Sequence, residues 1–140
     1  MPSVLIVDDA PDIRFLVRAV LSRSGFEITE AEGGSSALAV LDAGARPDVI
    51  VLDVQMPDMD GWATLAAIRE RTDDVPVILC TVKASDDDAA RAWTAGCDGY
   101  LTKPFSIHDL VDEVTAVAGR THAQRVALRA ETVRALESEP

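Results

Sequence analysis

VLIVDD, residues 4–9, runs through four apolar, strand-prone residues and stops on two adjacent carboxylates. The run is apolar on both faces that alternate along a strand, and so are VIVL (49–52) and PVILC (76–80). Strands of that kind belong inside a parallel sheet covered by helices on both sides. Working outward, VLIVD (4–8) is followed by PDIRFLVRAVLSRSG (11–25), where Ile13, Leu16, Val17, Val20 and Leu21 recur at helical intervals and Gly25 supplies a stop. The alternation repeats as FEITEA (26–31) with SSALAVLDAG (35–44), DVIVLDV (48–54) with GWATLAAIRER (61–71), VPVILCT (75–81) with SDDDAARAWTAG (85–96), and DGYLT (98–102) with SIHDLVDEVTAVAG (106–119). These repeats predict an α/β fold with a five-stranded parallel sheet of order 2-1-3-4-5, flavodoxin-like, with helices on both faces. FEITEA alternates apolar with polar and reads as an edge strand.

Composition limits the function classes. The 140 residues are 48% hydrophobic, the size of one compact domain. A formal net charge of −11, from 24 acidic and 13 basic residues, would repel a phosphate backbone or an anionic membrane, so direct nucleic-acid binding by this segment is not expected. Cys80 and Cys97 lack metal-type spacing and read as core thiols, and no apolar stretch approaches the roughly 20 residues of a membrane span. The expectation is a soluble, cytoplasmic protein. Ser85 stands three residues before Asp88, a helix-capping pattern, so the acids at 86–88 read as the first turn of a helix and not as a metal site. Residues 120–140 hold no strand-like run; they read as a helix with a thin apolar stripe of Val126, Ala130 and Val133, either continuing the preceding helix, serving as a linker or dimerising segment, or starting a part that lies beyond this sequence.

Ligands of such sheets sit beyond the carboxyl ends of the strands, where strand order reverses. Asp8 and Asp9 end the first strand and Asp53 ends the third, so the topology brings three carboxylates to one crevice. At about 5 Å and an effective dielectric near 20, each ionised pair repels by about 3 kcal/mol. A divalent cation removes that penalty, and an all-oxygen, carboxylate-rich site suits Mg²⁺. Thr81 at the end of the fourth strand offers a hydroxyl, and Lys103 after the fifth offers a positive charge. A metal site beside an anion site fits a phosphoryl group, with Asp53 acting either as metal ligand only or as the nucleophile. Lys103 precedes Pro104; by sequence alone trans is the expectation, since about 5–6% of X–Pro bonds are cis.

VDD (7–9), LDVQMPDMDG (52–61), Thr81 and GYLTKPF (99–105), in this order, resemble the receiver domain of bacterial two-component response regulators, over residues 1–119. The resemblance makes 120–140 a helical extension or linker. It implies that Asp53 is the phosphoacceptor, served by a sensor histidine kinase or a histidine phosphotransfer protein. Asp8, Asp9, Asp53 and the backbone carbonyl of Gln55 would hold Mg²⁺, Thr81 and Lys103 would hold phosphoryl oxygens, and the Lys103–Pro104 bond would be cis. Thr81 and Tyr100 would form the switch, remodelling the face made by the fourth helix, fifth strand and fifth helix for a downstream protein, a fused output domain or a second copy. Trp93 and Tyr100 would lie on that face, and Ile13 and Arg14 where kinases dock. Such a domain catalyses its own modification and turns over no separate substrate.

Val82 departs from the small residue usual after the switch threonine, and its branched side chain is expected to narrow access to Asp53. Gln55 and Lys83 occupy positions that tune the lifetime of the acyl phosphate in this family. Two rivals are a Mg²⁺-dependent aspartyl phosphotransferase acting on a free substrate and a receiver-like module that works without phosphorylation. The first needs a second aspartate two residues after the nucleophile, where this chain has Gln55.

Overall fold

The computed structural model describes residues 2–82 and 85–137. Along the chain the elements are β1 (Ser3–Val7), α1 (Pro11–Arg23), β2 (Glu27–Ala31), α2 (Gly34–Asp42), β3 (Val49–Asp53), α3 (Gly61–Arg71), β4 (Val77–Thr81), α4 (Asp86–Thr94), β5 (Gly99–Thr102), α5 (Ile107–Ala118) and α6 (His122–Glu137). The strands form one parallel sheet of order β2-β1-β3-β4-β5, as expected. Successive strand residues feed two separate cores. Leu5, Val7, Ile50, Leu52, Val77 and Leu79 pack against Leu38 and Leu41 of α2, Leu65 and Ile68 of α3 and Ala92 of α4. Their neighbours Val4, Ile6, Val49, Val51, Ile78 and Cys80 pack on the other face against Val17 and Leu21 of α1 and Leu110, Val114 and Val117 of α5. This explains why the runs at 4–7, 49–52 and 77–80 within β1, β3 and β4 are apolar at every position. Edge strand β2 buries only Ala31 fully.

Local chemistry sets the helix starts. Ser85 accepts from the Asp88 amide at 3.1 Å, confirming the cap in front of the acidic first turn of α4, and Ser106 with Asp109 forms a full capping box on α5. Asp60 caps α3 by accepting from the Ala63 amide at 2.8 Å. Gly61 is fixed by close approach: a Cβ there would fall 2.6 Å from the Asp53 carbonyl oxygen. The start of α3 therefore lies directly against the end of β3. Burial pushes the Cys80 thiol up to about 12 and the Cys97 thiol higher still, consistent with inert core residues. Among the described residues no helix is long and apolar enough to cross a membrane.

The carboxyl-terminal segment does not continue α5. Thr121 and Gln124 exchange side chain-to-amide bonds of 3.1 and 2.8 Å, starting a new helix that turns back onto α4. No α6 residue belongs to either hydrophobic core. Charge holds the helix instead. Asp98, just before β5 and with a fully buried side chain, accepts from Arg69 at 2.9 Å, from Arg129 at 2.9 Å and from the Val77 amide at 2.9 Å. Arg129 also donates to Asp73 at 2.7 Å, and Arg125 to the Asp74 carbonyl at 2.7 Å. Arg125 Nη1 and Arg129 Nη2 lie 3.2 and 2.8 Å from Asp98 without hydrogen-bonding geometry, so those contacts act through charge alone. Val126, Ala130 and Val133 line a groove with Trp93. Trp93 is half-buried along that groove.

Candidate functional site

The β1–α1 turn carries the first two acids. The Asp8 amide continues the sheet to the Ala31 carbonyl at 3.3 Å, and the Asp8 carboxylate accepts from the Ala10 amide at 2.9 Å. That bond turns the chain into α1. Asp53 ends β3 opposite Cys80. Asp8 and Asp53 are buried and Asp9 is exposed, and one oxygen of each lies within 4.8 Å of the others. The topology thus gathers the three acids as expected.

Lys103 is brought in by β5: its amide donates to the Thr81 carbonyl at 2.6 Å, and the Lys103–Pro104 peptide is cis. Its ammonium donates to Asp53 Oδ1 at 2.9 Å and lies 3.8 Å from Asp8 Oδ2. Burial disfavours the lysine's charge, but the bond to Asp53 and the charges of Asp53 and Asp8 outweigh it and hold its pKa above the ordinary value. Asp8 shifts the opposite way for an acid, raised chiefly by burial and further by Asp53 and Asp9, against the lowering effects of the Ala10 amide and Lys103. One ammonium leaves the three acids under-neutralised. The donor set is all oxygen, hard and partly open to solvent, which fits Mg²⁺ and does not fit a thiophilic metal. A groove beside Asp9 adds Glu32 and Asp58 to the rim, reinforcing the attraction for cations.

The other expected residues are dispersed around this centre. Thr81 is buried at the end of β4, and Gln55 is exposed in the loop two residues beyond Asp53. Tyr100 is half-buried and, with Trp93, flanks the core facing α2, α3 and α4. Burial raises the Tyr100 pKa, with Asp88 adding to it. Val82 is 54% exposed and forms one wall of an apolar groove with Ile13, Leu16, Pro104 and Phe105. Lys83 lies outside the described residues. The Arg14 guanidinium turns inward, donating to the Asp8 carbonyl at 2.6 Å and to Glu30 at 3.3 Å. Sequence reasoning missed this inward role; the available signal was the acid at Glu30 on the neighbouring edge strand.

With this geometry in hand, known proteins provide the comparison. The family model described as "Response regulator receiver domain" matches residues 4–115. The probable transcriptional regulatory protein TcrX of Mycobacterium tuberculosis is 42% identical over 131 residues, covering 94% of this chain and 56% of that protein. The transcriptional regulatory protein PrrA of the same species is 41% identical, covering 85% of this chain and 51% of that protein. The chain thus spans about half the length of the curated relatives it matches. Among solved structures, the Vibrio cholerae chemotaxis protein CheY4 is 34% identical with a TM-score of 0.78, covering 84% of this chain and 98% of that one. The Thermotoga maritima response regulator TrrA, in complex with Mg²⁺ and BeF, is 32% identical with a TM-score of 0.75, covering 84% and 99%. Fold, acidic centre and sequence agree, and the chain belongs to the response regulator receiver domain family.

Proposed function

We propose that Asp53 accepts a phosphoryl group from a phosphohistidine on a sensor histidine kinase or a phosphotransfer protein. The single observation that carries this reading is the convergence of Asp8, Asp9 and Asp53, with Lys103 bonded to Asp53. In the transfer, an Asp53 carboxylate oxygen forms the new bond to phosphorus, the phosphorus–nitrogen bond of the donor breaks, and the imidazole leaves. Asp8, Asp9, Asp53 and the Gln55 carbonyl would hold Mg²⁺. That ion, when bound, supplies positive charge to the carboxylates and to the phosphoryl oxygens. Lys103 is placed to follow the added charge, moving from Asp53 to a phosphoryl oxygen, and the Thr81 hydroxyl to donate to another. The Mg²⁺ complex of the Thermotoga relative supports the choice of ion. A domain of this kind signals and does not turn over a separate substrate.

The apolar groove of Ile13, Leu16, Val82, Pro104 and Phe105 opens beside Lys103 and suits the helix that carries the donor histidine. Val82 then contributes to docking more than to blocking. Gln55 and Lys83 would set the lifetime of the acyl phosphate. Thr81 and Tyr100 would relay the charge change at Asp53 to the surface of α4, β5 and α5, where a downstream protein, a fused output domain or a second copy responds. Residues 1–119 form the receiver in this reading, and 120–140 an extension that carries α6. Incubation with acetyl phosphate tests the core claim: a base-labile mass gain of one phosphoryl appears with Mg²⁺ and is absent from Asp53→Asn. No gain from acetyl phosphate or from a histidine kinase would sink the reading and favour a module that works without phosphorylation.

A further inference from the structure

The turn at Asp8 is held from two directions, one bond to its carbonyl and one to its carboxylate. Arg14 Nη1 donates to the Asp8 carbonyl oxygen at 2.6 Å, and the Ala10 amide donates to the Asp8 carboxylate at 2.9 Å. The Arg14 side chain is only 13% exposed, low for an arginine. Its charge is met by Glu30 at 3.3 Å, and Glu30 also pairs with Arg18 at 2.7 Å. Glu30 stands opposite Ile6 in the sheet and directly precedes Ala31, whose carbonyl receives the Asp8 amide. Edge strand, helix α1 and the acidic turn are therefore braced through one guanidinium.

We propose that Arg14 is a positioning residue for the cation site: it fixes the Asp8–Asp9 peptide so that the two neighbouring carboxylates point into one shared coordination sphere. The proposal rests on the Mg²⁺ reading of the Asp8, Asp9 and Asp53 cluster. Because Glu30 balances its charge, Arg14 acts through the orientation of the turn and not by neutralising the acids. Asp9, exposed at the end of the turn, takes its direction from that peptide. Loss of a group that orients metal ligands from behind typically costs about 10- to 100-fold in metal affinity.

The test is a titration of Mg²⁺ alone into the full chain, followed by NMR at the Asp9 and Ala10 amides, with thermal unfolding measured in parallel. Arg14→Ala weakens Mg²⁺ binding about tenfold, the lower end for loss of an orienting partner. Arg14→Lys, which keeps a donor for the Asp8 carbonyl, loses less, and Glu30→Gln falls between. Phosphorylation by acetyl phosphate drops in Arg14→Ala at low Mg²⁺ and recovers at saturating Mg²⁺. Unchanged Mg²⁺ affinity in folded Arg14→Ala would overturn the role and leave Arg14 as a clamp between α1 and β2. Should Arg14→Ala fail to fold, unchanged affinity in both Arg14→Lys and Glu30→Gln overturns it equally. A wild-type chain whose Asp9 and Ala10 amides ignore Mg²⁺ defeats the cation site itself, and the role of Arg14 with it.

Discussion

Lys103 Nζ stands 2.9 Å from Asp53 Oδ1 and 3.8 Å from Asp8 Oδ2, so one ammonium spans two strand ends that are 45 residues apart in the chain. It is the only positive charge within ion-pair distance of either acid among the described residues, and it shares them with a third carboxylate.

Removing that ammonium exposes the repulsion it offsets. Lys103→Ala is expected to lower the stability of the metal-free protein by about 1–2 kcal/mol, between the values for surface and buried pairs. Mg²⁺ affinity does not fall, because the lysine competes with the cation for Asp53. Urea unfolding with and without Mg²⁺ checks both statements, and a loss of Mg²⁺ binding would count against the competition.

The docking of α6 is expected to be separable from the core. With Arg125 and Arg129 both replaced by alanine, the helix loses its arginine contacts to Asp98, Asp73 and the Asp74 carbonyl and keeps His122 near Asp73 and Asp74, while Asp98 keeps Arg69 and the Val77 amide. Hydrogen exchange should show protection lost across α6 and kept in β1, β3 and β4. Simultaneous loss in the sheet would show that α6 is integral to the fold.

The same contact predicts a pH dependence. Burial opposes the ionisation of Asp73, but the bond and charge of Arg129, with Arg69 beside it, win and hold its pKa below 3.8. An acid whose native pKa is depressed stabilises the fold above its unfolded value, and that contribution is lost as pH falls through the native value. Protection of α6 therefore declines below about pH 4, and Asp73→Asn removes that part of the decline. An identical acid profile in Asp73→Asn would contradict the assignment.

Gly61→Ala tests the joint behind Asp53. The added methyl would meet Val54 Cα and the Asp53 carbonyl, both backbone atoms, and forced overpacking of this kind costs about 1–3 kcal/mol. A melting temperature unchanged by the substitution would mean that α3 sits further from β3 than described.

Much of this was readable in the residues. The runs at 4–7, 49–52 and 77–80 are apolar at every position because each strand feeds two cores, and the acids stand out because they interrupt such runs. Strand edges were less clear: Phe26 is buried without pairing in β2, and Asp98, read as the start of the fifth strand, is a buried anchor for three arginines. The course of α6 was illegible for the same reason. Periodicity registers apolar stripes, whereas this helix docks by Arg125 and Arg129, whose partners lie 27 or more residues upstream. Arg14 likewise looks like a solvated charge until the fold places Glu30 and the Asp8 carbonyl beside it.

Where the phosphoryl group lands decides the account. Borohydride reduction of the acetyl phosphate-treated chain converts an aspartyl phosphate to homoserine, which peptide sequencing locates. Homoserine at position 53, formed only when Mg²⁺ is present, is the predicted result; label on another aspartate, or labelling of Asp53 indifferent to Mg²⁺, would contradict it.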